Sequence, residues 1–377
     1  MLQKYFKNLI FSLPFLKSIF LKYRIKQGVL LKYNSIYLDD ADIVLLDSTI
    51  NNDLHVGLVK DGILYDDDAY LSSRADFIKY ERFLINNKIS YSYYNIDYST
   101  WLEDAEQFDV IIWRSSSDPA TQQMAKNKIY FLEKIAKKRC FPSFDELWPY
   151  EEKINIHYIY KYFKLPEIYS FVSFSKLESL NYINKCQFPI ISKISTGSAS
   201  QGVEILHNKR QAKKVINKVF SNQGKRTYWY YLNQKDYVYF QKYINDATYD
   251  LRIIVIGNKL FGYYRYAKKG DFRASGSGIV EKKEIPREAL ELAYLVKNVF
   301  NTSFLATDLL YSKSMKKYLI IESSIFIGID TCEQLVINGI SGYYERVSEE
   351  NYLFKPGKYW IQELALKEFF DSNSRLL

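Results

Sequence analysis

The stretch LATDLLYSKSMKKYLIIESS, Leu305 to Ser324, restricts the fold more than any other part of this chain. Two largely apolar runs bracket a short basic turn, which predicts a β-hairpin. Side chains alternate between faces along a strand. Asp308 therefore shares a face with Ala306 and Leu310, and Glu322 shares one with Ile320 and Ser324. If Tyr311 and Tyr318 flank the turn as a pair, Asp308 falls opposite Ile321 or Glu322. Two carboxylates then meet inside an apolar hairpin, where their repulsion and desolvation demand positive charge. A hard divalent ion with oxygen ligands supplies it; so does an arginine or lysine beside each acid. Spacing alone leaves both answers open.

A second stretch, SKISTGSASQGV (Ser192–Val203), places glycines and hydroxyls behind a strand that ends in Lys193. It lacks the GxxxxGK[ST] order of a Walker loop, because its lysine precedes the glycines. Lys193 is then the fixed phosphate contact. Ser195 to Gly202 form a lid between two strands, and Gly197 and Gly202 let backbone amides approach a ligand.

Around these stretches the pattern alternates. ADIVLLDS (41–48) reads as a buried strand, and HVGLVKDGILYDDD (55–68) as further strands with a Lys-Asp-Gly turn. Residues 74–88 place Phe77, Tyr80, Phe83 and Leu84 on one helical side. ISYSYYNID and DVIIWRS read as strands. The helix after them opens with Asp118 as cap and Pro119 at its first position. This is the signature of an α/β domain with a mainly parallel sheet. CFPSFDELWPY (140–150) reads as a domain junction, followed by a helix at 151–163 and a strand after LPEIYSFVSF. FPIISKIS and GVEILHN form a hairpin, 209–220 a helix, and DYVYFQKYI a strand. DLRIIVIGNKLFGYYRYA is a hairpin turning at Gly257-Asn258.

Charge narrows the partners. The net charge is +9, and residues 1–38 carry Lys4, Lys7, Lys17, Lys22, Arg24, Lys26 and Lys32 without an acid. The body is close to neutral, so the basic face expected of a nucleic-acid binder is absent and no nucleic-acid partner is expected. The arm mixes lysines with Leu2, Tyr5, Phe6, Leu9 and Leu13 at helical spacing up to Pro14. It reads either as a helix lying on the inner membrane surface or as one packed on protein. Its longest uncharged run, Asn8 to Leu16, is far short of a membrane span, and no signal peptide is expected. Cys140, Cys186 and Cys332 lack CxxC spacing and suit a reducing, cytoplasmic compartment. His55, His157 and His207 form no metal-spaced cluster.

In order, the chain presents Lys153 before a helix, SKISTGSASQGV, FQKYINDATYDLR, RYAKKGDFRAS, ATDLL and IIESS. These six ordered blocks, over roughly residues 140–330, resemble the ATP-grasp superfamily. The nearest resemblance is to ribosomal-protein glutamate ligases and glutathione-synthase-like carboxylate–amine ligases. The resemblance implies a mixed α/β (α+β) ATP-grasp fold. A basic arm (1–38) and an N-terminal α/β pre-ATP-grasp domain (39–140) precede a two-subdomain nucleotide-binding region. That region comprises a lid (141–240) and a metal-site subdomain (241–350), with a tail at 351–377.

The same resemblance implies ATP and one or two magnesium ions as cofactors. Lys153 and Lys193 match lysines that reach phosphates, with Ser198 and Gly202 in the mobile loop. Gln241 and the backbone near Tyr243 match the adenine hinge, and Asp246 an acid at the ribose. Asp250 and Arg252 match an Asp-x-Arg pair, while Arg265 and Arg273 match arginines facing phosphate and the acyl intermediate. Asp308, Glu322 and Ser324 match the metal positions. Ser275 and Ser324 stand where the family usually has asparagine, and a serine hydroxyl reaches less far than an amide. Outside the blocks, Arg114 ends a strand where α/β sheets often bind ligands and is a candidate for a substrate carboxylate.

The implied reaction joins a carboxylate to an amine through an acyl phosphate, and positioning and charge neutralisation carry most of the catalysis. The basic arm, if it meets membrane, points to a cell-envelope saccharide or peptide precursor as substrate. Two alternatives remain: an ATP-grasp phosphotransferase, which needs no amine, and a non-catalytic nucleotide-binding module, which the serines at 275 and 324 motivate.

Overall fold

The structure, a computed structural model, describes residues 40–47, 54–61, 74–197, 202–229, 231–271 and 276–373. It also describes short pieces at 30–32 and 70–72 and single residues 19, 273 and 274. The readings of the basic arm, of the chain after the Lys-Asp-Gly turn, of Ser198 and of Ser275 fall outside these residues, apart from those pieces.

The N-terminal part contains β1 (His55–Leu58), α1 (Phe77–Asn86), β2 (Ser90–Tyr93), β3 (Val110–Ile112), α2 (Pro119–Tyr130) and β4 (Arg139–Phe141). Its four strands pair in the order β2-β1-β3-β4, all parallel. Val110, Ile111 and Ile112 are buried on both faces, as a parallel strand between helices requires. Asp118 accepts hydrogen bonds from the Ala120 and Thr121 amides, with Pro119 in the first turn, as its sequence predicts.

The second part contains α3 (Lys153–Tyr162), β5 (Ser170–Ser173), α4 (Lys176–Ile183), β6 (Ile190–Lys193), β7 (Val203–Leu206), α5 (Lys209–Val219) and β8 (Val238–Lys242). Its sheet is antiparallel, in the order β5-β8-β6-β7. Ala212, Val215, Ile216 and Val219 of α5 bury against it.

The third part contains β9 (Asp250–Ile256), β10 (Lys259–Arg265), α6 (Arg287–Phe300), β11 (Phe304–Ser312), β12 (Lys317–Ser324), β13 (Ile340–Ser348), β14 (Asn351–Pro356) and α7 (Ile361–Asn373). The strands run β12-β11-β9-β10-β13 with β14 on β13, all antiparallel. Gly257 turns the β9–β10 hairpin at φ +54°.

Two sequence expectations fail here. Residues 41–46 form no strand: Ile43 and Leu45 are exposed, and the Asp42 and Leu46 amides bond to the Lys358 carbonyl and the Asn87 side chain. An apolar run can satisfy its backbone with such isolated partners, and periodicity cannot tell the two cases apart. Residues 351–373, expected as a tail, supply β14 and α7. Ile361, Leu364, Ala365 and Phe370 of α7 join the N-terminal core with Phe77, Phe83 and Phe141. The Arg82–Glu363 ion pair, at 2.7 Å with the Glu363 side chain fully buried, ties α7 to α1.

Candidate active site

The β9–β12 strands lay charged residues side by side on one sheet face. Their register sets Arg252 opposite Asp308 and Asp308 opposite Glu322, while Asp250 faces Arg265. Asp308 falls opposite Glu322 rather than Ile321 because the ladder shifts between Asp308 and Leu309. Leu309 pairs with Ile320, so Ile321 is the extra residue of a bulge.

Each Asp308 oxygen receives a guanidinium N–H. Arg252 Nε and Nη2 donate at 2.7 Å to Oδ1 and Oδ2, and Arg265 Nη2 donates to Oδ2 at 2.5 Å. Arg265 also pairs with Asp250, its Nε donating at 2.5 Å. Burial opposes the Asp308 charge, but the two arginines outweigh it and hold its carboxyl below the usual range. Burial and the repulsion from Asp308 push Asp250 up against the pull of Arg265. Two acids and two arginines thus neutralise one another. Glu322 is the surplus anion, with no hydrogen bond or ion pair to another described residue.

This cluster floors a cleft of about 300 Å³ whose lining includes Asp250, Arg265, Asp308, Glu322, Lys153, Lys193, Gln241, Tyr243 and Arg273. Lys193 ends β6 and is 6% exposed, with its ammonium 5.8 Å from the Tyr239 ring centroid. Lys153 opens α3 and donates to the Gly197 carbonyl, while its own amide bonds Ser195. Glu152 bridges Thr196, and the Ser195 hydroxyl donates to Glu152 at 2.9 Å. The start of the glycine loop is thereby clamped to the start of α3. Gly202 ends the loop at φ +76°, and a Cβ there would meet Ile194 Cδ1 at 2.4 Å. The Gln241 amide donates to the Ser170 hydroxyl at 3.0 Å. Arg273 bonds Asp271, which also lines the cleft.

Five described residues named from the sequence lie off the lining, Gly202 of the glycine loop among them. Arg252 is set back, holding Asp308. Asp246 accepts from the Ser314 amide at 2.6 Å and the Ser312 hydroxyl at 3.3 Å in the β11–β12 turn. The Ser324 hydroxyl donates to the Phe326 carbonyl at 2.7 Å. Arg114, just beyond β3, approaches Asp76 at 3.5 Å and stacks 5.8 Å from the Phe326 ring centroid. Lys242, Thr248, Tyr249 and Asp271 also line the cleft, and sequence reasoning missed them. All four sit inside the blocks FQKYINDATYDLR and RYAKKGDFRAS, so proximity to a named residue was their only signal.

A magnesium ion fits this donor set. Glu322 offers a whole free carboxylate, and Asp308 Oδ1 receives one donor and keeps a second lone pair. Magnesium takes one or two carboxylates and fills its shell from phosphates and water. No group of three or more His, Cys, Asp or Glu side chains suited to a metal forms among the described residues. Most ligands would therefore come from outside the protein.

Burial lowers the Lys193 pKa to about 8, with Glu322 resisting and Lys153 adding to the fall. Its charge is present below that pH and lost above it. The kcat/KM for ATP, which reports the free enzyme, is expected to fall as pH rises through 8. A profile flat to pH 9.5 would contradict a phosphate contact here.

A RimK-like ATP-grasp domain model matches residues 159–340. The chain is 28% identical over 219 residues to alpha-aminoadipate–LysW ligase LysX from Saccharolobus solfataricus, covering 57% of this chain and 70% of that protein. Among solved structures it resembles D-alanine–D-alanine ligase from Bacillus anthracis, with TM-score 0.50, 15% identity, and 73% and 88% of the two chains covered. It also resembles D-cycloserine synthetase DcsG, with TM-score 0.51, 12% identity, and 72% and 91% covered. At these identities the two structures speak for the fold alone.

Proposed function

We propose, from the premise that the chain belongs to the ATP-grasp superfamily and is an ATP-dependent carboxylate–amine ligase, that both reaction steps occur in the cleft above Asp308 and Glu322. The observation that carries this reading is the charge arrangement. A neutralised Asp250–Arg265–Asp308–Arg252 floor leaves Glu322 with no hydrogen bond or ion pair to another described residue, lining a cleft that Lys153 and Lys193 also line.

Gln241 and Tyr243 hold adenine at the hinge, and Lys153 and Lys193 hold phosphates. Binding ATP requires Lys153 to exchange the Gly197 carbonyl for a phosphate oxygen. A substrate carboxylate oxygen attacks the γ-phosphorus and ADP leaves. The amine nitrogen then attacks the acyl carbon and phosphate leaves. Arg273 and Arg265 offset the charge that builds on the acyl phosphate. Magnesium, when bound, neutralises phosphate oxygens, and Glu322 with one Asp308 oxygen would hold it. Arg114 anchors a second carboxylate of the substrates. The basic arm supports a cell-envelope saccharide or peptide precursor as the substrate, held near anionic lipid on the inner membrane face. No helix among the described residues is long and apolar enough to cross a membrane.

ADP release by the full chain, with a panel of acids with and without amines, tests the reading. The panel comprises uronic-acid saccharides, acidic peptides, the common amino acids, D-alanine and α-aminoadipate. Amine-dependent release is expected. Tight ATP binding with no turnover across the panel overturns the ligase reading, and turnover confined to free amino acids overturns the envelope substrate. Glu322→Gln is expected to raise the magnesium concentration needed for half-maximal ATP binding. An unchanged requirement would remove Glu322 from the metal site.

A further inference from the structure

Ser195, at the start of the glycine loop, is buried and held at its amide, its carbonyl and its hydroxyl. The amide donates to the Tyr237 hydroxyl at 2.8 Å, and the carbonyl accepts from the Lys153 amide at 2.9 Å. The hydroxyl donates to Glu152 Oε2 at 2.9 Å. These partners come from separate segments: Tyr237 stands just ahead of β8, Glu152 just ahead of α3, and Lys153 opens α3.

The place of this brace matters more than its strength. Lys153 directly follows Glu152, and Ser195 lies just past Lys193 at the end of β6. The Glu152–Ser195 bond therefore ties segments 43 residues apart at the points where they present the two lysines of the cleft. A backbone bridge between Glu152 and Thr196 reinforces it. Binding groups that are already held in place lose less freedom when a ligand arrives, and so bind it more tightly.

The second oxygen of Glu152 reaches a third element. Oε1 lies 3.6 Å from Lys126 Nζ, a largely buried side chain of α2 in the N-terminal part. A carboxylate next to Lys153 in the chain competes with phosphate for the lysines and repels the phosphate itself. Lys126 offsets that charge while leaving the hydrogen bond to Ser195 in place.

We infer that Glu152 and Ser195 are positioning residues for ATP: their bond sets the spacing of Lys153 and Lys193, and Lys126 neutralises it from the N-terminal part. This rests on the reading of the two lysines as phosphate contacts. Neither Glu152 nor Ser195 lines the cleft, so both act through the lysines. The brace serves the phosphates and not adenine, which the proposed function gives to Gln241 and Tyr243.

The test titrates Mg-ATP, and separately adenosine, into the full chain by calorimetry, which needs neither acid nor amine. Ser195→Ala and Glu152→Ala are each expected to raise Kd for Mg-ATP about tenfold, the loss of one hydrogen bond to a charged group. Kd for adenosine should stay unchanged. The double variant should bind about as weakly as the worse single one, because both substitutions break the same bond. Ser195→Thr, which keeps the hydroxyl, should restore Mg-ATP binding. Lys126→Met should raise Kd for Mg-ATP about threefold, in the range of a partly exposed ion pair. A fold defect would weaken adenosine binding as well. Equal losses for the two ligands, additive effects of the two substitutions, or an unchanged Kd for Mg-ATP overturn the brace. Absence of Mg-ATP binding by the wild type overturns the phosphate-contact reading, and this inference with it.

Discussion

Asp308→Asn is expected to lose about 3–5 kcal/mol of stability in urea unfolding, together with all ligase turnover. Asp308 is 2% exposed and is the acceptor shared by Arg252 and Arg265. Removing its charge leaves two guanidiniums buried around a neutral amide, with Asp250 the one carboxylate among the described residues still in hydrogen-bond contact with either of them. Breaking one partner of a buried ion cluster costs more than the cluster contributes as a whole, because the remaining charge stays desolvated. Arg252→Met in the same background should recover part of the loss, since it removes the guanidinium with no other acid in hydrogen-bond range. A stable Asp308→Asn variant would mean that the two arginines do not depend on the Asp308 charge for the fold.

Lys193→Met is expected to separate activity from stability in the other direction. The kcat/KM for ATP should fall roughly 100- to 1,000-fold, the usual loss when one charge-stabilising donor is removed. Stability below pH 8 should rise on the order of 3 kcal/mol, because burial lowers the pKa from 10.5 to about 8 and each unit corresponds to about 1.4 kcal/mol. The sign follows from the depressed pKa of about 8, which burial causes. Between that pH and the ordinary lysine range the unfolded chain binds more protons than the folded one. The folded wild type therefore gains stability as pH rises, and below pH 8 it bears the full cost of a buried ammonium. Methionine keeps the stem and removes that cost. A variant that loses stability as well as ATP affinity would make Lys193 a structural residue.

Local chemistry made much of the fold legible in advance. The Asp118 cap with Pro119, the Gly257-Asn258 hairpin and the β6–β7 hairpin around the glycine loop each depend on contacts within a few residues. The failures share a cause. Residues 41–46 have strand composition, but no strand among the described residues accepts their amides. The helix at 361–373 is buried almost all round and packs on an N-terminal core nearly three hundred residues earlier, which no window along the chain can register.

The same division runs through the candidate site. By itself the sequence determined that Asp308 and Glu322 lie on facing strands of an apolar hairpin, because alternation and a basic turn dictate it. It also placed Lys193 at a strand end ahead of a glycine loop. Only the tertiary structure decided between Ile321 and Glu322 as the residue opposite Asp308, through a bulge that adds one residue to β12. Only it decided how the buried charges balance. The Arg252–Asp308 pair spans 56 residues and forms because β9 lies beside β11, an adjacency set by packing of the whole sheet. The sequence left a divalent ion and an arginine as equal answers to the repulsion of two acids. The sheet gave Asp308 its arginines and left Glu322 open, because side chains from separate strands meet only where the backbone ladder brings them into register.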